Sequence, residues 1–239
     1  MPLIDTHYHL DKYRNHRNIY QQINKLKQYT LCVTGSPGVF LSCKQMYSET
    51  KYLRFALGVH PLEIEDPHKA ISEFEHCLPN TQYIGEVGLD YTQNINSRNA
   101  QIQVFEHIMS LQAKLNLPAS IHIRSAEDDA YRIMLRYPNP KRIIHWFTGT
   151  EEQLDSLLSL GCYFSINSSM INSEKHIQKL RQIPLERILI ESDGPYTRVD
   201  GKVFSPEHLG SVYNHISTLM KISNIEELVY QNFRCLLQQ

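Results

Sequence analysis

Two histidines, His7 and His9, stand two residues apart in the apolar run IDTHYHL at residues 4–10, with Asp5 two residues before His7. In a strand, residues i, i+2 and i+4 share a face, so Asp5, His7 and His9 point one way and Ile4, Thr6, Tyr8 and Leu10 the other. Imidazole nitrogens grouped like this can hold a divalent cation, although an edge strand with polar residues turned to water gives the same local pattern. The rest of the chain breaks the tie. His60, Glu86, His122, His145 and Asp193 stand at the ends of later apolar runs. One histidine in an apolar run is more often structural than a ligand, but a whole set of His and carboxylate side chains at corresponding places in separate units reads as a metal site.

Such a set exceeds the needs of one ion, since catalytic zinc commonly takes three protein ligands and a water. Two ions about 3.5–4 Å apart, bridged by a carboxylate, would use it; such a pair acidifies a water, orients a substrate oxygen and offsets charge on a leaving group. Thiolate ligands are absent from the set, so zinc, manganese, magnesium and cobalt all suit it.

Side chains from distant segments must be brought together by a regular frame. Apolar runs that read as strands are 2–10, 29–35, 53–60, 81–89, 117–124, 141–147, 161–167 and 186–193, with helical patterns between them. Val104, Ile108, Leu111 and Leu115 are spaced as one helix face over 98–116, and Pro118 stops that helix. Thr150 and Gln153 fit a capping box before Leu154, with Gly161 past the helix end. Ser205-Pro206 reads as an N-cap with proline in the first turn, and Asn224 as a further cap. Eight strands alternating with helices predict an α/β fold, a single (β/α)8 TIM-like barrel of small or distorted form, in which residues 1–239 make one domain. A doubly wound open sheet lacks support, because no glycine-rich phosphate loop follows the first strand. In a barrel the catalytic groups come from the C-terminal strand ends, which is where the histidines and acids fall.

Formal net charge is −1, so no global basic field advertises a nucleic-acid partner, and binding to one would rest on a local patch or on metal. Cys32, Cys43, Cys77, Cys162 and Cys235 are odd in number, scattered and without a CxxC pair, as expected of reduced thiols. The start MPLIDTHYHL lacks the basic-then-apolar pattern of a signal peptide, and no run approaches the roughly 18 apolar residues that span a membrane. A cytoplasmic protein that does not engage a membrane is expected.

Taken together, LIDTHYHLD (3–11), ALGVHP (56–61), IGEVGLDY (84–91), LPASIHIRSAEDD (117–129), HWFTG (145–149) and ESDGPY (191–196) resemble the TatD-like metal-dependent deoxyribonucleases of the amidohydrolase superfamily, in family order from end to end. The resemblance implies a TIM-like barrel with two, sometimes three, divalent metal ions and phosphodiester hydrolysis, often of DNA ends or single strands in the 3′→5′ direction. By the same resemblance His7, His9 and Asp193 would hold one metal and His122 and His145 the second, with Glu86 bridging them. Asp193 would also take the proton of the attacking water. His60 would serve a third metal or the phosphate, or else simply pack against Pro61. Arg124, two residues past His122, suits a phosphate clamp, with a salt bridge to Glu127 or Asp128 as the alternative. Asp5 should lie one layer deeper than His7, in a supporting place.

This chain departs from the family pattern at Trp146, where cysteine is usual. An aromatic ring there could stack a base, but strand alternation would bury it against a helix. It departs again in TRVDGKVFSPEHLG, which follows ESDGPY. A small-molecule amidohydrolase or phosphoesterase on the same scaffold is the rival enzyme, favoured by the −1 charge. A nuclease subunit of a multi-protein bacterial defence system would suit a trimmed, diverged member. A non-catalytic subunit is opposed by the completeness of the ligand set.

Overall fold

Seven of the eight apolar runs become one short parallel strand each and the run 53–60 becomes two, every strand being shorter than its run. The computed structural model describes residues 1–93 and 97–239. In chain order the strands are β1 (Ile4–Tyr8), β2 (Tyr29–Cys32), β3 (Leu53–Phe55), β4 (Leu57–Val59), β5 (Ile84–Asp90), β6 (Ala119–Arg124), β7 (Arg142–His145), β8 (Tyr163–Ile166) and β9 (Ile188–Ile190). Between and after them run α1 (His16–Leu26), α2 (Pro37–Met46), α3 (Pro67–Cys77), α4 (Arg98–Leu115), α5 (Glu127–Arg136), α6 (Glu151–Ser159), α7 (Glu174–Leu180), α8 (Leu209–Met220) and α9 (Ile225–Gln238).

The result is an α/β fold, a distorted (β/α)8 TIM-like barrel. β1-β2-β3 pair as one sheet and β4 to β9 as a second, six-stranded one. β3 and β4 are halves of the single predicted run 53–60, parted at Ala56, so nine segments fill eight barrel positions. At the break the pairing passes from β2 to β5: Ala56 N donates to Cys32 O at 2.8 Å, and Leu57 N donates to Tyr83 O at 2.9 Å. The seam between β9 and β1 is joined by single bonds, from Asp193 N to His7 O at 3.0 Å and from Thr6 Oγ1 to Ile190 O at 3.1 Å.

Outward-facing strand residues build the main core against the helices, with Ile4, Phe55, Ile144 and Phe164 of the strands and Phe105 of α4 all buried. The capping box at Thr150 and Gln153 is present, whereas Asn224 makes no side-chain cap. The departing segment after Asp193 forms a two-stranded hairpin, β10 (Arg198–Val199) with β11 (Lys202–Val203). Arg142 is fully buried, and its guanidinium donates to Gln112 Oε1 at 3.1 Å, Met134 O at 2.9 Å and Tyr137 O, closing the C-terminal carbonyls of α5. α8 is tied to the first strand through the Tyr213 hydroxyl, which accepts from Ile4 N at 3.0 Å and donates to Ile4 O at 2.7 Å.

Inside the barrel the apolar filling is thin. Leu31, Val33 and Ala56 form a small separate cluster there, while Asp5, His7, Ser120, Ser165 and Glu191 are buried polar groups. Burying a polar group costs free energy unless it is hydrogen-bonded, and these groups meet the requirement mutually. Asp5 accepts from Ser192 N at 2.8 Å and from Ser192 Oγ at 2.6 Å, and Glu191 accepts from Asn167 Nδ2 at 2.8 Å and from the Ser165 hydroxyl. A hydrogen-bonded polar interior is what carries the groups above it.

Candidate metal centre

Strand register sets the cluster level. Gly88 of β5 pairs with His122 of β6, His122 with His145 of β7, and His145 with Ser165 of β8. A Cβ at Gly88 would fall 1.8 Å from His122 O, so only glycine lets the two strands approach this closely. β1 contributes His7 and, just past its end, His9; β5 contributes Glu86; Asp193 follows β9.

These six residues meet at the C-terminal mouth, each 8 % exposed or less. Glu86 stands between two histidine pairs. Its Oε2 lies 3.6 Å from His7 Nε2 and 3.4 Å from His9 Nε2, and its Oε1 lies 2.8 Å from His122 Nδ1 and 3.0 Å from His145 Nε2. Asp193 Oδ1 lies 3.8 Å from His7 Nε2 and 3.4 Å from His9 Nε2. His60, at the rim, brings Nε2 to 3.8 Å from Glu86 Oε1. Among the described residues, three overlapping groups have ligand atoms close enough for an ion: His7, His145 and Asp193; His7, His9 and Glu86; His60, Glu86 and His122.

Two observations show that the set fits divalent cations. The facing ring nitrogens are 3.2 Å apart both in the His7–His9 pair and in the His122–His145 pair. Neighbouring ligand nitrogens around a tetrahedral ion at about 2.0–2.1 Å would be roughly 3.3 Å apart. Asp193 Oδ1 is buried without a hydrogen-bond partner, and a carboxylate oxygen in that position is stable only beside positive charge.

The outward nitrogens of the rings are braced unequally. His122 Nε2 faces Asp90 Oδ2 at 3.0 Å, and His7 Nδ1 faces Ser120 Oγ at 2.8 Å. His145 Nδ1 is 3.4 Å from Glu191 Oε1, within ion-pair reach but outside hydrogen-bond geometry. His9 Nδ1 has no partner. Partners of this kind fix ring orientation and raise ligand basicity.

Protonation follows the same pattern. Burial opposes charge on His145 and His122, but Glu191 with Glu86 outweighs it for the first and Asp90 with Glu86 for the second, so both rings sit above the ordinary histidine value. His9 is also raised, its burial outweighed by Asp193 and Glu86, while burial and His145 push His7 down. Burial works against the charge of Glu86, yet His7 and His145 hold it well below the usual carboxylate range. Asp90 is brought down to about 2 because bonds from His122 and Thr92 outweigh its burial. Burial pushes His60 down to about 4 and Asp5 up to about 7.

Of the residues expected from the sequence, His7, His9, Glu86, His122, His145 and Asp193 converge, His60 joins at the edge, and Asp5 lies beneath as expected. His60 also accepts at Nδ1 from Leu62 N at 3.2 Å, which opens a 3-10 turn. Arg124 does not turn into the cluster. Its guanidinium lies over the Trp146 ring, 4.9 Å from the centroid, and among the described residues it has no ion pair with Glu127 or Asp128. The expectation that Trp146 is buried against a helix holds in part: the residue is half-buried and packs against the main core, but it also lines the cleft of about 340 Å³ above the histidines. Its φ of 41° breaks the strand alternation that the expectation assumed. Asp90, Glu191 and Ser120 escape a reading that takes one residue from each strand end. Asp90 lies four residues after Glu86 and Glu191 two before Asp193, and the period-two rule applied around each acid finds them.

Comparison with known proteins agrees with this geometry. Residues 4–238 match the family described as TatD related DNase. The uncharacterized metal-dependent hydrolase BU355 of Buchnera aphidicola is 29 % identical, over 99 % of this chain and 99 % of its own. The 3′-5′ ssDNA/RNA exonuclease TatD of Pectobacterium atrosepticum is 30 % identical over 58 % of this chain and 56 % of its own. Among solved structures, YJJV, a TatD homologue from Escherichia coli K12, superposes with a TM-score of 0.85 at 20 % identity, covering 98 % of this chain and 97 % of that one. Among the described residues no helix is long and apolar enough to cross a membrane.

Proposed function

The chain belongs to the TatD related DNase family, and we propose that it hydrolyses phosphodiester bonds at the ends of single-stranded DNA, releasing nucleotides in the 3′→5′ direction from a two-metal site. The observation that carries this reading is the position of Glu86, whose two carboxylate oxygens each face a different histidine pair. His7, His9 and Asp193 would hold one ion and His122 with His145 the other, with Glu86 shared; His60 would serve a third ion or a phosphate oxygen. Bound divalent ions acidify water and offset charge on the phosphoryl group.

The chain's own groups supply the rest. Asp193 Oδ1, buried and without a partner, takes the proton of the attacking water. Water oxygen bonds to phosphorus as the bond to the 3′-oxygen breaks, and that oxygen leaves as a hydroxyl after protonation from solvent. Asp90, Glu191 and Ser120 hold the rings in place while this happens. Residues 1–239 act as one domain in the cytoplasm.

A small phosphodiester or amide is the second reading. It is favoured by the −1 net charge and by Lys12, whose Nζ at the cleft lies 3.6 Å from Asp11 and 3.7 Å from Glu63. The test is cleavage of end-labelled single and double strands, a chromogenic phosphodiester and a lactone and amide panel, each with Mg²⁺, Mn²⁺ and Zn²⁺. Metal-dependent shortening of single strands from the 3′ end is expected. Turnover of lactones or amides with intact oligonucleotides would overturn the nuclease reading.

A further inference from the structure

Trp146 is the chain's single tryptophan, and it directly follows His145. It borders two cavities at once: the cleft over the metal-site histidines, and an adjoining hollow of about 270 Å³. The hollow is lined by Ser169, Asn172, His176 and Lys179, with no carboxylate among its lining residues. Small-ligand sites run from roughly 300 Å³ upward, so at about 270 Å³ the hollow suits a fragment such as one sugar-phosphate rather than a larger ligand.

The ring is held in place on purpose-built terms. With φ at 41°, Trp146 adopts the left-handed conformation that bulky residues rarely take; its ring packs partly against the main core and also borders both cavities. Arg124 covers part of the ring, 4.9 Å from its centroid, and has no carboxylate partner among the described residues. The indole N–H likewise makes no hydrogen bond within those residues, so a donor and a guanidinium stand unspent beside the half-buried ring.

We propose that Trp146, backed by Arg124, is the stacking platform for the base next to the scissile phosphate, and that the hollow takes the following sugar-phosphate. The inference rests on the nucleic-acid reading above and deepens it. A base must be unpaired to lie on the indole, so this platform selects single strands. Arg124 and the indole N–H supply donors to the flanking phosphate, and Asn172 and Ser169 supply neutral ones further along.

Because there is one tryptophan, its fluorescence reports on this position alone. The experiment titrates the full chain in Mg²⁺ with a nuclease-resistant phosphorothioate single strand, following fluorescence and, separately, anisotropy of a labelled strand. It then compares kcat/KM for oligonucleotides of increasing length with kcat/KM for a chromogenic phosphodiester, in wild type, Trp146→Ala and Trp146→Phe. Saturable quenching by the single strand and none by a duplex is expected. The ratio of oligonucleotide to small-diester kcat/KM should fall roughly 5- to 150-fold in Trp146→Ala, the range for loss of one stacked base, and should recover in part in Trp146→Phe. Anisotropy showing binding while fluorescence stays unmoved overturns the platform, as does an equal loss on both substrates. If the small diester is hydrolysed but no oligonucleotide binds or is cut, the nucleic-acid reading falls and this inference falls with it.

Discussion

The two histidine pairs of the centre are built to different standards. His122 and His145 each have a carboxylate behind the ring, Asp90 at 3.0 Å and Glu191 at 3.4 Å. On the other side His7 has a hydroxyl, Ser120, and His9 has no partner at Nδ1. His9 is located by its backbone, which donates to Gly194 O at 3.0 Å, and by the edge of Tyr196 at 5.2 Å between ring centroids. A carboxylate behind an imidazole makes it a better metal ligand and a better base at once. The braced pair therefore gains affinity for an ion and for the proton that competes with it, while the unbraced pair stays adaptable. The comparison predicts an asymmetric site, with a retained ion on one side and an exchangeable one on the other.

The heaviest blow to that picture is aimed at the acid next to the unbraced pair. Asp193→Asn keeps shape and a ligating oxygen but loses the proton acceptor, and single-turnover cleavage should slow at least about a hundredfold while oligonucleotide binding persists. Cleavage within a few-fold of wild type would move the base elsewhere. His145→Ala should abolish activity and remove the retained ion, as elemental analysis after desalting would show; an unchanged metal content would mean that the braced pair is not the tight side.

Next in size is the brace itself. Glu191→Gln keeps the ring's neighbour but not its charge, and should weaken the tighter of two calorimetric metal-binding steps by about 10- to 100-fold. Equal weakening of both steps would erase the asymmetry. Ser120→Ala, which removes only the neutral brace of His7, should shift the weaker step by a few-fold at most.

A pH series sharpens the same contrast. Without metal, Asp90, Glu191 and Glu86 raise His122 and His145 above the ordinary histidine value despite their burial, whereas burial and His145 lower His7; His9, beside Asp193 and Glu86, is raised as well, so the contrast within the unbraced pair lies at His7. An ion entering the braced pair must displace protons, so its affinity rises with pH and binding releases protons. Calorimetry of the tight step in buffers of different ionisation enthalpy should detect that release. A buffer-independent heat would contradict the raised histidines.

Much of this centre was legible because the chemistry sits where strands end. His7, His122, His145 and Glu86 stand out as polar residues in runs that are otherwise apolar, and the period-two rule aims them inward. What escaped has local causes. The break at Ala56 carries no proline or glycine signal and follows from a change of pairing partner, which only the assembled barrel imposes. Trp146 was expected on the outer face because alternation was carried one residue past the true strand end at His145, where the backbone turns left-handed. Arg124 was expected at the phosphate or beside an acid, and it lies over the Trp146 ring, which the turned backbone at residue 146 brings within reach. The hairpin of residues 198–203 could not be read from TRVDGKVF beyond its turn-forming Asp200-Gly201.

The tie between Tyr213 and Ile4 has a consequence for the order of events during synthesis. β1 leaves the ribosome before the other strands, but one of its flanks is met only by residues made long after it: Ser192 on Asp5, Asp193 on His7, Gly194 on His9 and Tyr213 on Ile4. These contacts span about 185 to 209 residues of chain, and loops that long are closed late because their entropy is lost before the contacts reward it. The nascent chain therefore carries its HxH pair as an unfinished edge until residues 192–213 have emerged. His122 and His145 have by then already been placed side by side, so the newborn enzyme matures its centre from the braced pair outward.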